Sequence, residues 1–242
     1  METTLNTGVI IVAGGSGRRM GSTIPKQFLL LNGLPVLART INRFAEALPG
    51  SPVAVVLPAS QIDFWRNLSA RFPVARHLLA VGGEERFHSV RAGLRSLLES
   101  GEGVEFVAVH DGVRPLASTE MILRTLECAR TCGAAVPVVE ATDSYRRITP
   151  DGSEIIDRRT LRRVQTPQIF RTDWLRKGYE QPYDPAFTDD ASVVERAGLP
   201  VALCEGKPAN LKITTRYDLT VATALLDAQA ADDAPETPAG HE

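Results

Sequence analysis

The stretch Ala13-Gly14-Gly15-Ser16-Gly17-Arg18-Arg19-Met20-Gly21, followed by Pro25-Lys26-Gln27, joins a glycine-rich turn to three cations. Glycines let the backbone turn its N–H groups toward a phosphate with no side chain in the way. Arg18, Arg19 and Lys26 supply the charge that a triphosphate undergoing substitution needs. Two better-known loops fail on spacing. A Walker A loop needs Gly-Lys-Ser/Thr, and Lys26 follows Pro25. A dinucleotide fingerprint starting at Gly15 needs glycine where Met20 stands, and the region around Pro35 lacks the acid it also wants. The plain alternative is a glycine turn with solvated arginines.

Three further segments carry groups of the same kind. Gly82-Gly83-Glu84-Glu85-Arg86 joins an apolar run to a helical pattern, so it offers helix N-terminal N–H groups to a ligand or is an ordinary tight turn. In Val109-His110-Asp111-Gly112-Val113-Arg114-Pro115, Asp111 can hold Mg²⁺, orient a phosphate-bearing substrate, or cap a turn. Arg114 can fork onto a phosphate. His110, beside a bulky apolar run, reads as a structural histidine rather than a triad member. In Asn210-Leu211-Lys212-Ile213-Thr214, Lys212 is an edge residue pointing to water or a buried phosphate ligand. Arg158, Arg159, Arg162 and Arg163 sit near Thr166-Pro167-Gln168, as a charged face or as cations closing over an anionic substrate. Cys128 and Cys132 are four apart with no partner pair, which argues against a metal site, and Cys204 reads as core.

The elements that must position these residues follow from periodicity. Gly8–Ala13 and Val53–Leu57 are apolar on both faces, as buried parallel strands are, and Phe106–Val109, Ala134–Val139 and, with a weaker signal, Leu78–Val81 read as further strands. Helical spacing fills the gaps: a helix opened by Pro35, then Ser60–Arg71, Arg86–Glu99 and Thr119–Cys132. This rhythm predicts an α/β fold, an open and mostly parallel sheet with helices on both faces. Ligands bind beyond the carboxyl ends of such strands, here the loops starting at Gly14, Pro58, Gly82, Asp111, Glu140 and Thr214. The rhythm breaks between Glu140 and Gln165. There Pro150-Asp151-Gly152-Ser153 predicts a turn between Ser144–Thr149 and Glu154–Asp157, a hairpin too polar to stand alone and so expected to lie on a second subunit. Helices near Thr172–Glu180, Asp189–Gly198 and Tyr217–Asp227 and strands at Val201–Cys204 and Leu211–Ile213 complete the reading.

Composition limits the partners. The chain has 242 residues, with 27 Lys+Arg against 29 Asp+Glu, a net charge of −2. That balance argues against nucleic-acid or membrane binding through a basic surface. Residues 228–242 carry four of the acids, counted from the sequence, and read as a disordered tail beyond a domain at 1–227. Three cysteines and an N-terminus without a signal-like apolar stretch lead us to expect a cytoplasmic protein.

The segments AGGSGRRMGSTIPKQFLLLNGLPVL, GGEERFHSV, VHDGVRPL, DRRTLRRVQTPQIF, FTDDASVVE and NLKITTRYDL occur in this order. In that order and content the chain resembles the 2-C-methyl-D-erythritol 4-phosphate cytidylyltransferase family, over about residues 8–227. The resemblance implies a Rossmann-like nucleotidyltransferase fold with a protruding β-arm at about 140–165. It implies that CTP and methylerythritol phosphate give the cytidine diphosphate product and pyrophosphate, with Mg²⁺, in a homodimer joined through the arm. By motif position it makes Arg19, Lys26, Arg158 and Lys212 catalytic, and Ala13, Gly14, Gly15, Gly83, Arg86 and Ser89 the CTP contacts. Asp111, Arg114, Ser144, Thr166 and Thr188 become substrate contacts, with Asp111 also touching the metal, directly or through water. Ser144 stands where the family often has Thr, and Gly14 and Glu84 where it often has Ala and Asp.

Such chemistry is consistent with the residues. A phosphate monoester is mostly dianionic at neutral pH, its second pKa being about 6, so its attack needs no general base. The obstacle is repulsion between anions, which cations answer. Competing readings are a ribitol 5-phosphate cytidylyltransferase, a non-catalytic nucleotide-binding module, and a Rossmann dehydrogenase already weakened by Met20.

Overall fold

Residues 6–15, 24–101 and 103–232 are described by the structure, a computed structural model. Arg18 and Arg19 lie outside the described residues, as do residues 233–242 of the expected tail. The first strand, β1 (Thr7–Val12), is buried along almost its whole length. A 3-10 turn at Lys26–Phe28 and the small ladder of β2 (Leu30–Leu31) and β3 (Leu34–Pro35) lead into α1 (Val36–Ala47). Pro35 stands immediately before this helix, where its fixed φ favours the start and its missing N–H costs nothing. Then come β4 (Val53–Leu57), α2 (Ala59–Ser69), β5 (Leu78–Val81), α3 (Arg86–Glu99), β6 (Phe106–Asp111), α4 (Thr119–Cys132) and β7 (Ala134–Glu140). The later elements are β8 (Tyr145–Thr149), β9 (Gly152–Ile156), β10 (Arg162–Val164), β11 (Gln168–Arg171), α5 (Thr172–Tyr179), α6 (Asp190–Arg196), β12 (Ala202–Glu205) and α7 (Arg216–Asp232).

The main sheet has eight strands, ordered β10-β7-β11-β6-β1-β4-β5, with β12 also on β7. The pairs β1–β4, β1–β6, β4–β5 and β12–β7 are parallel, as expected. Alternate residues of β1 feed opposite layers, because side chains of a strand alternate. Val9 and Ile11 join Leu37, Ile41, Phe44, Trp65 and Met121 on one face. Ile10 joins Val90, Leu97, Phe170, Leu175 and Val194 on the other. On that second face α3 lies close on the sheet: a Cβ at Gly93 would sit 2.7 Å from Ile10 Cγ2 and 2.8 Å from Val56 Cγ2. The close approach fixes where the N-terminus of α3 points.

Three expectations need correction. The strand β11 was not foreseen, yet it enters the middle of the sheet, antiparallel to both β6 and β7. It is only four residues long and follows Pro167, so it has no visible period; burial of Ile169 and Phe170, both 0% exposed, holds it there. The segment Leu211–Ile213 is no strand. It is an extended passage pinned by Ile213, whose N–H donates to the Val113 carbonyl at 2.9 Å, so Thr214 does not follow a strand end. The last helix runs to Asp232, five residues into the expected tail. The hairpin does form: β8 pairs antiparallel with β9, as a separate sheet with Ile148 81% and Ile155 75% exposed.

Candidate functional site

The loops after β1, β5 and β6 meet the 3-10 turn at Lys26 and the passage holding Lys212. Together they enclose a cavity of about 330 Å³, within the size range of small-molecule sites. Ala13, Gly14, Gly15, Lys26, Gly83, Arg86, Ser89, Asp111 and Lys212 line it. Buried Gln27 ties one wall together, donating to the Ala13 carbonyl and to Gln61 Oε1, both at 2.8 Å.

Asp111 ends β6 and is the best-anchored acid of the cavity. Its Oδ2 accepts from Arg114 Nε at 3.0 Å and faces Lys212 Nζ at 3.2 Å. Burial pushes this carboxyl up, but Lys212, Arg86 and Arg114 outweigh it and hold it well below the usual carboxylate range. The group is therefore ionised at any working pH. Its own N–H donates to Thr166 Oγ1 at 3.1 Å. That hydroxyl donates in turn to His110 Nδ1 at 3.0 Å, and His110 Nε2–H donates to the Arg114 carbonyl at 3.1 Å. This pairing needs a neutral ring. His110 is 0% exposed, with its ring centroid 4.8 Å from that of Phe44, and burial lowers its pKa to about 4. It is structural, as the sequence indicated.

The passage carrying Lys212 is fastened to the same loop. Arg114 Nη1 donates to the Asn210 carbonyl at 2.9 Å, and Asn210 Nδ2 donates to the Thr166 carbonyl at 2.8 Å. Thr166 thus braces Asp111 and Asn210 from below, being 5% exposed, and does not line the cavity. On the opposite wall, Arg86 opens α3. Its Nη1 and Nη2 donate to the two oxygens of Asp190 at 2.7 and 2.6 Å. Burial alone lowers the pKa of Arg86, but the Asp190 carboxylate more than compensates and holds it above its ordinary value.

The remaining candidates lie elsewhere in the chain. Thr188 is exposed just ahead of α6 and does not line the cavity. Ser144 and Arg158 sit at the root of the arm, and Arg158 Nη1 donates to the Thr142 carbonyl at 2.6 Å. Arg159 is paired with Asp157 at 2.7 Å. Arg163 and Arg114 border a second, larger cavity of about 970 Å³ that shares Lys212 with the first. Among the described residues no cluster of three or more His, Cys, Asp or Glu could hold a metal by itself. One ionised carboxylate facing this cavity does fit Mg²⁺, which is commonly held by one or two carboxylates plus substrate phosphates.

Gln27, Asn210, Tyr179 and Asp190 were not singled out from sequence. Asp190 had a signal within FTDDASVVE, but the neighbouring Asp189 and Ser192 form a capping box and give that run a purely local reading.

The profile of the family IspD, 2-C-methyl-D-erythritol 4-phosphate cytidylyltransferase, matches residues 7–228. The chain belongs to this family. It is 50% identical over 219 residues to the 2-C-methyl-D-erythritol 4-phosphate cytidylyltransferase of Bacteroides fragilis, covering 90% of this chain and 98% of that protein. Among solved structures it resembles the cytidylyltransferase of Thermus thermophilus, with 31% identity, a TM-score of 0.70 and coverage of 92% and 100%. It also resembles a 4-diphosphocytidyl-2C-methyl-D-erythritol synthase from Anaerococcus prevotii, with 26% identity, a TM-score of 0.77 and coverage of 93% and 99%. The cytidylyltransferase fold therefore accounts for the α/β sheet, and the motifs beginning AGGSG, GGEER and VHDGV fall at the ends of β1, β5 and β6.

Proposed function

We propose that this cytidylyltransferase joins CTP to 2-C-methyl-D-erythritol 4-phosphate, releasing pyrophosphate, by direct attack of the sugar phosphate on the α-phosphorus. The observation that carries this reading is the convergence of Lys26, Arg86, Asp111 and Lys212 on one cavity beside the Gly14-Gly15 turn. No nucleophile or general base is required, since the attacking phosphate is already an anion. His110, neutral and held on both ring nitrogens, supports the frame rather than the chemistry.

In this reading Ala13, Gly14, Gly15, Gly83, Arg86 and Ser89 hold CTP, with Lys26 beside its phosphates, and the catalytic role of Arg19 rests on its motif position alone. Lys212 stands where the nucleotide cavity meets the larger one, so it can touch both anions and offset their repulsion. Asp111, kept ionised, orients Lys212 and Arg114 and would hold Mg²⁺ together with the phosphates. When bound, Mg²⁺ neutralises charge on the transferring phosphoryl group. Ser144, Arg158 and Thr188 do not reach the cavity of their own chain. We assign them to the sugar-phosphate site of a homodimer, in which each arm crosses to the partner. The exposed Ile148 and Ile155 of the arm support that crossing. The free thiols Cys128, Cys132 and Cys204 suit the cytoplasm, where we place the reaction.

The test is pyrophosphate release with Mg²⁺ present. CTP alone should give none, and CTP with methylerythritol 4-phosphate should give one pyrophosphate per cytidylyl transferred. Release from CTP without acceptor would contradict direct transfer.

A further inference from the structure

Arg86 is the one arginine lining the nucleotide cavity among the described residues, and its orientation is set by groups outside that cavity. Asp190, the first residue of α6, is 0% exposed, whereas the side chain of Arg86 is 31% exposed toward the cavity. A buried carboxylate is costly unless it is paired and hydrogen-bonded. Asp190 meets both conditions: it takes the fork of Arg86 and also accepts from Tyr179 Oη at 2.6 Å. Tyr179 is itself fixed, its ring stacked at 4.8 Å from Phe87, the residue after Arg86. The start of α6 is tied to β11, where Gln168 donates to Asp189 Oδ2 and accepts from the Ala191 N–H, both at 2.9 Å. The position of Asp190 is thus dictated by the sheet.

We infer that Asp190, braced by Tyr179, is a positioning residue for nucleotide binding: it aims Arg86 and keeps it from crossing the cavity to Asp111. This rests on the reading of the cavity as the CTP site. Asp111 already exerts an attraction on Arg86. Without Asp190, the guanidinium is free to turn to Asp111, an acid of the cavity that already attracts it, and to compete with Lys212 for it. The pair also leaves Arg86 electrically balanced but directional. A guanidinium has five N–H donors, and Asp190 takes two of them. The rest present fixed hydrogen bonds to the nucleotide, with little net charge to attract the wrong anion.

The experiment compares Asp190→Asn, Tyr179→Phe and Arg86→Ala in the full chain, with folding checked by circular dichroism. Steady-state kinetics give KM for each substrate and kcat, and calorimetry gives CTP affinity without acceptor. Asp190→Asn should raise KM and Kd for CTP about tenfold or more, the scale of a lost charge-assisted hydrogen bond. Its kcat and its KM for the sugar phosphate should stay within about threefold, a split that simple destabilisation would not produce. Tyr179→Phe should shift CTP binding in the same direction by less, and it decides the matter if Asp190→Asn fails to fold. Adding Asp190→Asn to Arg86→Ala should cause no further rise, because the two act through one interaction. If Arg86→Ala weakens CTP binding while the folded Asp190 and Tyr179 variants leave it unchanged, the positioning role is wrong. If Arg86→Ala itself leaves CTP binding unchanged, the assignment of Arg86 to the nucleotide is wrong, and this inference falls with it.

Discussion

Acidification should destabilise the ligand-free protein through His110, by an amount set by its burial. The ring has a pKa of about 4 in the folded chain, against an ordinary value of 6.5. The cause is burial in the first place. The carbonyl of Arg114 and the carboxylate of Asp111 favour the charged form, while Arg114 and Lys212 oppose it. Since the folded pKa lies below the unfolded one, the unfolded chain binds the extra proton between these two values. Stability is therefore full above about pH 6.5, falls as pH drops toward 4, and this contribution is exhausted below 4. A gap of about 2.5 units corresponds to about 3 kcal/mol in total, of which about 2 kcal/mol is lost between pH 7 and pH 5. Urea unfolding at both pH values, without nucleotide or divalent cation, measures this in the wild type and in His110→Gln. The variant should be less stable at pH 7, having lost its ring bonds. Its further loss on going to pH 5 should be smaller than that of the wild type by about 2 kcal/mol. Equal losses in the two proteins would refute the assignment of His110 as a buried neutral ring.

Other parts of the account can be checked as directly. Lys26→Ala should fold normally and lose at least about a hundredfold in turnover, equivalent to roughly 2.7–4 kcal/mol of barrier; near-normal kcat in a folded variant would remove Lys26 from the chemistry. Gly93→Ala should lower the urea midpoint, costing about 1–3 kcal/mol, because the added methyl meets Ile10 and Val56 across the α3–sheet contact. Mixing Lys26→Ala with Arg158→Ala protomers, each inactive alone, should restore about a quarter of wild-type activity if arms act across a dimer, since half the dimers are mixed and each carries one intact site. No recovery after verified subunit exchange would place Arg158 in its own chain's site.

Much of the frame was legible because the signals were local. The helix Thr119–Cys132 has the same limits in sequence and structure: Ser118 caps its start, accepting from the Met121 N–H at 3.2 Å. Gly133, at φ 87°, ends it in a conformation that favours glycine. The strand Val53–Leu57 was equally plain, a short apolar run between Pro52 and Pro58, while Leu78–Val81 gave a weaker signal at the same limits. What stayed hidden depends on distant partners. Nothing within Gln168–Arg171 announces a central antiparallel strand; only the slot between β6 and β7 does. The β-like run at Leu211–Ile213 gave a false strand, because Asn210 and Ile213 are engaged by Thr166 and Val113 instead of a ladder. In the site, Lys26, Asp111 and Lys212 stood out as charged groups next to turns. Asp190 and Tyr179 did not, since their role appears only when α5 and α6 are laid beside Arg86.

The central claim is that this cavity transfers cytidylyl to a branched four-carbon sugar-alcohol phosphate. The most direct measurement is turnover with CTP and Mg²⁺, offering methylerythritol 4-phosphate and ribitol 5-phosphate in separate reactions and identifying each product by mass. The account predicts the cytidine diphosphate derivative of methylerythritol as the product, with ribitol 5-phosphate a poor acceptor. Efficient turnover of ribitol 5-phosphate with none of methylerythritol 4-phosphate would contradict it.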